Sequence, residues 1–323
     1  MITFKNVKKT FEDGTEAIKG IDLHIEEGKL VALIGPSGCG KTTTMKMINK
    51  LIEPTSGEIL IGGENIARQK EVDLRRNIGY VIQRIGLFPH MTIEENVGLI
   101  PKLKGMKKEE YNQKVDELLN LVGLDPSVYK KRYPLELSGG QQQRVGVVRA
   151  LAGDPPIILM DEPFSALDPI SRDQLQDELK QLQTKIKKTI VFVTHDMDEA
   201  LKIADQIVVL KDGLIEQVAA PKELVQTPKN EFVRSFIGED RINAFLNLHT
   251  PLLSPVTSIM DPLTEEIKTE FPTIDSTADL KLAAGEMTGR NIISMYVVEN
   301  GKPIGIIHQN LLLRKLAGFE KGV

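Results

Sequence analysis

The sequence predicts an α/β fold: a mixed sheet core, an antiparallel β subdomain ahead of it, a helical insertion within it and a small α+β domain behind it. Three observations carry this. Apolar runs of strand length at residues 30–34 (LVALI), 157–162 (IILMDE) and 189–194 (TIVFVT) alternate with longer stretches whose apolar residues recur at helical spacing. A glycine-rich turn, GPSGCGKTT over residues 35–43, joins the first run to a stretch with Met45, Ile48 and Ile52 at helical spacing. Beyond residue 255, a proline-punctuated break is followed by a shorter set of strand-like and helix-like segments.

In chain order, residues 2–34 hold short strand-like runs separated by turn signals at 12–15 (EDGT) and 26–29 (EEGK), which reads as the antiparallel portion. Phe11 stands just before the first turn, where an aromatic either stacks on the ring of a base or packs half-buried in its strand. The turn that follows residue 34 fits G-x-x-x-x-G-K-[ST], with Gly35, Gly40, Lys41 and Thr42 in the required places. A phosphate chain needs inward-pointing backbone N–H donors and no side chains in its path. Gly35, Gly38 and Gly40 leave that path open, and Pro36, Ser37, Cys39 and Thr43 complete the loop. Lys41 is placed to reach the β- and γ-phosphates and the Thr42 hydroxyl to ligate Mg²⁺, while the helix start aims its positive dipole end at the anion.

Residues 57–65 (GEILIGGEN) read as a hairpin, and 78–83 (IGYVIQ) as a strand ending in an amide. Gln83 emerges where open α/β sheets place ligands, and an amide there can hold Mg²⁺ or position a water. Residues 87–131 turn helical and charged, with Val115, Leu118, Leu119 and Val122 on one face, and form the insertion. Leu87, Phe88 and Pro89 ahead of it suit either local packing or a partner surface. In LSGGQQQR, Ser138 with Gln141 three residues on forms a capping box for a helix running to Gly153. Gly139 and Gly140 leave that helix start bare, which weakens the helix and opens it to an anion. The chain thus carries two phosphate-type helix ends but one phosphate-loop lysine, an imbalance that a half-site completed by another copy resolves.

The run at 157–162 ends in two carboxylates: Asp161 can hold Mg²⁺ through water, and Glu162 can take a proton from an attacking water. Asp168, in SALD, precedes Pro169 and fits an N-cap opening a helix with Leu175, Leu179, Leu182 and Ile186 on one stripe. His195 follows the last apolar run directly, as either a structural histidine or a γ-phosphate contact.

Composition narrows the function classes. Hydrophobic content of 41%, charged content of 27% and a net charge of -4 belong to an ordinary globular chain with no basic surplus for nucleic acid. No apolar run approaches the roughly eighteen residues of a membrane span, and MITFKNVKKTF lacks the apolar core of an export signal. The expected compartment is the cytoplasm. The single cysteine, Cys39, excludes an intrachain disulfide and reads as small filler in the loop.

With GPSGCGKTT, Gln83, LSGGQQQR, IILMDE, SALD and His195 in this order, residues 1–237 resemble the ATP-binding cassette ATPases, a P-loop NTPase fold. The resemblance implies a homodimer closing head to tail on two ATP molecules with Mg²⁺. The phosphate loop, from Gly35 to Thr43, would bind one nucleotide, with Phe11 stacking on its adenine. Thr42, Gln83 and Asp161 would serve the metal, Glu162 would be the base and His195 would contact the γ-phosphate in cis. Ser138, Gly139 and Gly140 would reach the γ-phosphate in trans, and Asp168 would link the two sites. The insertion is similar to the importer type, which implies integral-membrane permease subunits, an extracytoplasmic solute-binding protein and a place on the cytoplasmic face of the membrane. Leu87, Phe88 and Pro89 would lie near the permease socket. The nearest likeness is to importers of glycine betaine, carnitine and choline. A soluble cassette ATPase acting on nucleic acid or ribosomes is the alternative, and a sensor reporting ATP occupancy to the C-terminal piece a third.

Residues 238–255, with Pro251 and Pro255, read as a linker. Residues 256–323 then resemble one cystathionine β-synthase-type (CBS) repeat: SIMD at 258–261, a helical stretch after Ser276, SMYVVE at 294–299, a turn at Asn300 and Gly301, and a strand at 304–307. Such repeats imply pairing and an adenosyl ligand. His308 and Leu311 replace the family's ribose-contacting Thr and Asp, which leaves a cyclic dinucleotide at the repeat interface or ionic strength as the candidate signals in its place.

Overall fold

The computed structural model describes residues 1–82, 86–165, 167–243, 254–263, 272–290 and 292–316. Two compact units divide the chain, Met1–Phe236 and Ile237–Val323.

In the first unit, β1 (Ile2–Thr10), β2 (Glu16–Ile25), β3 (Leu30–Ile34), β4 (Ser56–Ile61), β5 (Glu64–Asn65) and β6 (Ile78–Val81) come before the helical insertion. After it come β7 (Ile157–Asp161), β8 (Thr189–Val193), β9 (Gln206–Lys211) and β10 (Leu214–Ala219). They form two sheets. The antiparallel one runs β2-β1-β4-β5, and the mixed one β10-β9-β3-β8-β7-β6. In the mixed sheet β9, β3, β8, β7 and β6 are mutually parallel and β10 alone is antiparallel. β3, β7 and β8 are buried along their whole length, which explains why they read as continuous apolar runs and not as alternating ones.

The phosphate-loop helix α1 (Lys41–Ile48) shares one core with both sheets: Met45 and Met47 lie in a cluster with Phe4, Ile21, Leu33 and Leu159. α1 ends at Ile48, so Ile52 falls beyond the helix in which its spacing placed it. After α2 (Glu71–Arg76), the insertion is helical as expected and consists of α3 (Ile93–Leu103), α4 (Lys108–Leu121) and the short α5 (Pro126–Tyr129). A turn at Gly105, with φ +82°, separates α3 from α4. Val115, Leu118, Leu119 and Val122 are buried, as their spacing predicts. Phe88 is exposed, with its N–H and carbonyl both held by the Asn96 side chain.

The remaining helices are α6 (Gly139–Ala152), α7 (Pro169–Ile186), α8 (Met197–Ile203), α9 (Pro221–Gln226) and α10 (Glu231–Ile237). Topology sets the site. The carboxyl ends of β3, β7 and β8 are adjacent, so the loops leaving them gather at one edge, where open α/β sheets bind ligands.

The second unit is a small three-stranded sheet in the order β11 (Thr273–Asp275), β12 (Ser294–Glu299) and β13 (Lys302–His308). Helices over Leu280–Gly289 and Gln309–Leu316 accompany it, and its own core includes Val256, Leu280, Met287, Val297 and Ile307. Asn300 (φ 51°) and Gly301 (φ 76°) make the expected tight hairpin between β12 and β13. The stretch read as a linker is in part structured: residues 239–243 are helical, and the Leu280 N–H donates to the Ser254 carbonyl while Pro255 bridges to Asp279. Proline content alone does not reveal that pairing.

Candidate functional site

The loop after β3 is held in shape by its own glycines and lysine. A Cβ at Gly35 would lie 2.1 Å from the Leu210 carbonyl oxygen, and one at Gly40 2.5 Å from Ile18 Cδ1, so both positions exclude any side chain. A Cβ at Gly38 would meet nothing within 4 Å, which leaves the mouth of the cradle open. Gly35→Ala is therefore expected to destabilise the fold by about 3 kcal/mol or more, read from denaturant midpoints, whereas Gly38→Ala strains only its φ of +79°. Lys41 is buried, and its ammonium donates to the Gly35 carbonyl at 2.7 Å and the Pro36 carbonyl at 2.8 Å. Cys39 is buried beside it, and that burial pushes its thiol pKa up, which suits an inert filler.

The ends of β7 and β8 face this loop. The Thr42 hydroxyl donates to Asp161 Oδ1 at 3.1 Å. Burial raises the Asp161 pKa, the Thr42 hydrogen bond and Lys46 oppose that shift, and neighbouring Glu162 adds to it. Glu162 sits at φ 45°, an uncommon conformation for a residue with a side chain, and its N–H donates to the Val193 carbonyl at 3.1 Å. That turn carries its carboxylate to 3.7 Å from His195 Nδ1, and the His195 ring is largely exposed. Thr42 and Asp161 bring a hydroxyl and a carboxylate, both hard oxygen donors, together beside the phosphate loop, a donor set that suits Mg²⁺.

A second group lies at two helix starts. Ser138 Oγ accepts from the Gln141 N–H at 3.3 Å and the Gln141 side chain accepts from the Ser138 N–H at 3.0 Å, the expected capping box. The space beside Gly139 is empty to 4 Å, and a Cβ at Gly140 would come 3.6 Å from Ser171 in the first turn of α7. Asp168 caps that helix by accepting from the Ser171 N–H at 3.1 Å, and its hydrogen bonds to Ser171 hold its pKa below the usual carboxylate value. The starts of α6 and α7 are therefore neighbours. Phe11 lies in the turn between β1 and β2 and is exposed, with the Lys9 ammonium 5.2 Å from its ring centre, so it is not a half-buried strand residue. Gln83 lies outside the described residues.

Sequence spacing gave no sign of a further group behind His195. Arg172, Thr194 and Glu199 line, with Glu162, Ser165 and His195, a small cavity of about 40 Å³. Glu199 is buried, which raises its pKa, and accepts from the Thr194 hydroxyl at 2.5 Å.

This arrangement has counterparts among known proteins. The ABC transporter family matches residues 18–165 and the CBS domain family residues 263–318. A choline transport ATP-binding protein of Bacillus subtilis is 52% identical over 93% of this chain and 76% of its own length. The chain belongs to the ABC transporter family. It is an ABC ATPase with a C-terminal CBS domain, a nucleotide-binding protein of the α/β cassette fold. A glycine betaine/carnitine/choline transport ATP-binding protein of the same organism is 60% identical over 75% of this chain, which spans 63% of that relative's length. Among solved structures, the ATP-binding cassette MJ0796, as a dimer in a post-hydrolysis state with ADP and Pi, aligns at TM-score 0.62 and 38% identity. That alignment covers 68% of this ABC ATPase and 99% of MJ0796. These relatives lend no support to a role on nucleic acid or ribosomes. Among the described residues no helix is long and apolar enough to cross a membrane.

Proposed function

We propose that this ABC ATPase drives an importer of small quaternary amines such as glycine betaine, carnitine or choline, from the cytoplasmic face of the membrane. It would work as a homodimer bound to integral-membrane permease subunits and, through them, to a solute-binding protein. The observation that carries the reading is the convergence of the phosphate loop, Thr42, Asp161, Glu162 and His195 on one sheet edge, in a chain 52% identical to a choline transport ATP-binding protein. Phe11 would stack on adenine, with Gly35, Pro36, Ser37, Gly38, Cys39, Gly40, Lys41, Thr42 and Thr43 cradling the phosphates. Thr42 and Asp161, together with Gln83, would hold Mg²⁺, which supplies charge neutralisation on the phosphate oxygens. Glu162 would take the proton of the attacking water, from the turn of φ 45° that ends β7. His195 fixes the γ-phosphate, Ser138, Gly139 and Gly140 of the second copy close over it, and Asp168 joins the two sites.

The C-terminal unit, in this reading, regulates transport by pairing with its twin, with a cyclic dinucleotide or ionic strength as its signal. The test is uptake of labelled glycine betaine, carnitine and choline into vesicles containing the chain, its permease and its binding protein, with a variant truncated after Gly238 alongside. ATP-dependent uptake of at least one amine is expected from both forms, with a response to ionic strength or cyclic dinucleotide in the full chain alone. Absence of amine uptake by active ATPase would overturn the solute assignment, and identical response curves the regulatory one.

A further inference from the structure

The geometry points to Arg172 as a positioning residue that ties the segment bearing Asp168 to the turn bearing His195, with Glu199 as its buried anchor. The inference rests on the roles proposed above for those two residues. Arg172 stands in the first turn of α7, and its Nη2 donates to the Leu167 carbonyl at 3.2 Å, next to the Asp168 cap. From there its guanidinium spans to the other side of the cavity: Nη1 lies 3.9 Å from Asp196 Oδ2 and Nε 3.8 Å from Glu199 Oε1.

Those two carboxylates follow His195, one at the cap of α8 and one in its first turn. Asp196 caps α8 by accepting from the Asp198 N–H at 2.8 Å, and its own N–H donates to Thr194 Oγ1 at 3.0 Å. Thr194 in turn donates its hydroxyl proton to Glu199 Oε2. The residues on both sides of His195 are thus fastened to Glu199, while the exposed imidazole is left to move with the turn. Burial of Glu199 makes its partners matter, because a buried carboxylate without hydrogen bonds or a cation is strongly disfavoured.

One atom of the bridge is unsatisfied. Arg172 Nε is a buried donor with no hydrogen-bond partner, and Glu199 Oε1 lies just outside hydrogen-bond range. A sub-ångström approach of the α7 start to the His195 turn closes that gap. A displacement of the Asp168 segment, such as docking of a second copy in the proposed dimer would bring, is thereby passed to the turn that carries His195.

The test uses the full chain with Arg172→Met, Glu199→Gln and Asp168→Ala. Glu199→Gln keeps the size and the acceptor for Thr194 but removes the charge, so it guards against a folding failure of Arg172→Met. Both are expected to lower kcat for MgATP by about ten-fold while KM stays within about two-fold, because nucleotide contacts are untouched. Arg172→Met combined with Asp168→Ala should be no slower than about two-fold below the slower single variant, since both act along one connection. The nucleotide-free chain gives an independent readout: both substitutions should shift or broaden the His195 imidazole NMR signals and leave those of His24 unchanged. Unmoved His195 signals, or rate losses that multiply in the double variant, would overturn the proposal. A parent chain without ATPase activity would end the functional reading instead, and the NMR arm would still decide this one.

Discussion

Glu162→Gln is expected to lower MgATP turnover by about 10²-fold or more while leaving ATP binding intact. Glutamine matches the carboxylate in shape but cannot take the proton of an attacking water. The backbone at Glu162 is already committed to φ 45°, anchored by the N–H bond to Val193 and by the Ser165 hydroxyl donating to the Glu162 carbonyl at 3.0 Å. Those contacts belong to the main chain, so the variant keeps the turn and loses only the basic oxygen. Single-turnover rates and the fraction of ATP retained after gel filtration check this. A variant that hydrolyses at the parent rate would remove Glu162 from the reaction and leave its backbone strain without a catalytic reading.

The second large effect is expected at the other helix end. Ser138→Arg should abolish ATP-driven dimerisation and leave nucleotide binding by the monomer within about two-fold. The reason is spatial: Gly139 and Gly140 present backbone N–H groups at a bare helix start that groups with the start of α7, while the Lys41 ammonium is held by the carbonyls of Gly35 and Pro36 in a different loop. An arginine fills the approach and forfeits the cap, about 1 kcal/mol of helix stability. Ser138→Ala forfeits the cap alone and separates the two effects. Light scattering with and without ATP, beside nucleotide titrations, makes the measurement. If Ser138→Arg weakened nucleotide binding in the monomer as much as Lys41→Ala does, a site completed in trans would be ruled out.

How much of this is legible in the sequence follows from the range of each interaction. The capping box of Ser138 and Gln141, the Asp168 cap before Pro169 and the hairpin at Asn300 and Gly301 are local, and each is found where its residues predict. The buried strands are legible because burial on both faces writes a continuous apolar run. The positive φ of Glu162 is not, because nothing in DEP announces it. Arg172 and Glu199 are 27 residues apart on different helices and meet only because α7 and α8 pack together, so spacing within either helix is silent. The same holds for Ser254 and Leu280, whose pairing takes the end of an apparent linker into the C-terminal unit.

The inward turn of Lys41 has a bearing on the working cycle. Its ammonium donates to the carbonyls of Gly35 and Pro36, so two acceptors of its own loop hold it inside the fold. Binding of a phosphate would be an exchange of oxygen acceptors at a cation that the loop buries. The loop's shape rests on contacts of its own, so in the proposed dimer the rearrangements that separate one turnover from the next would fall to the parts that meet across copies.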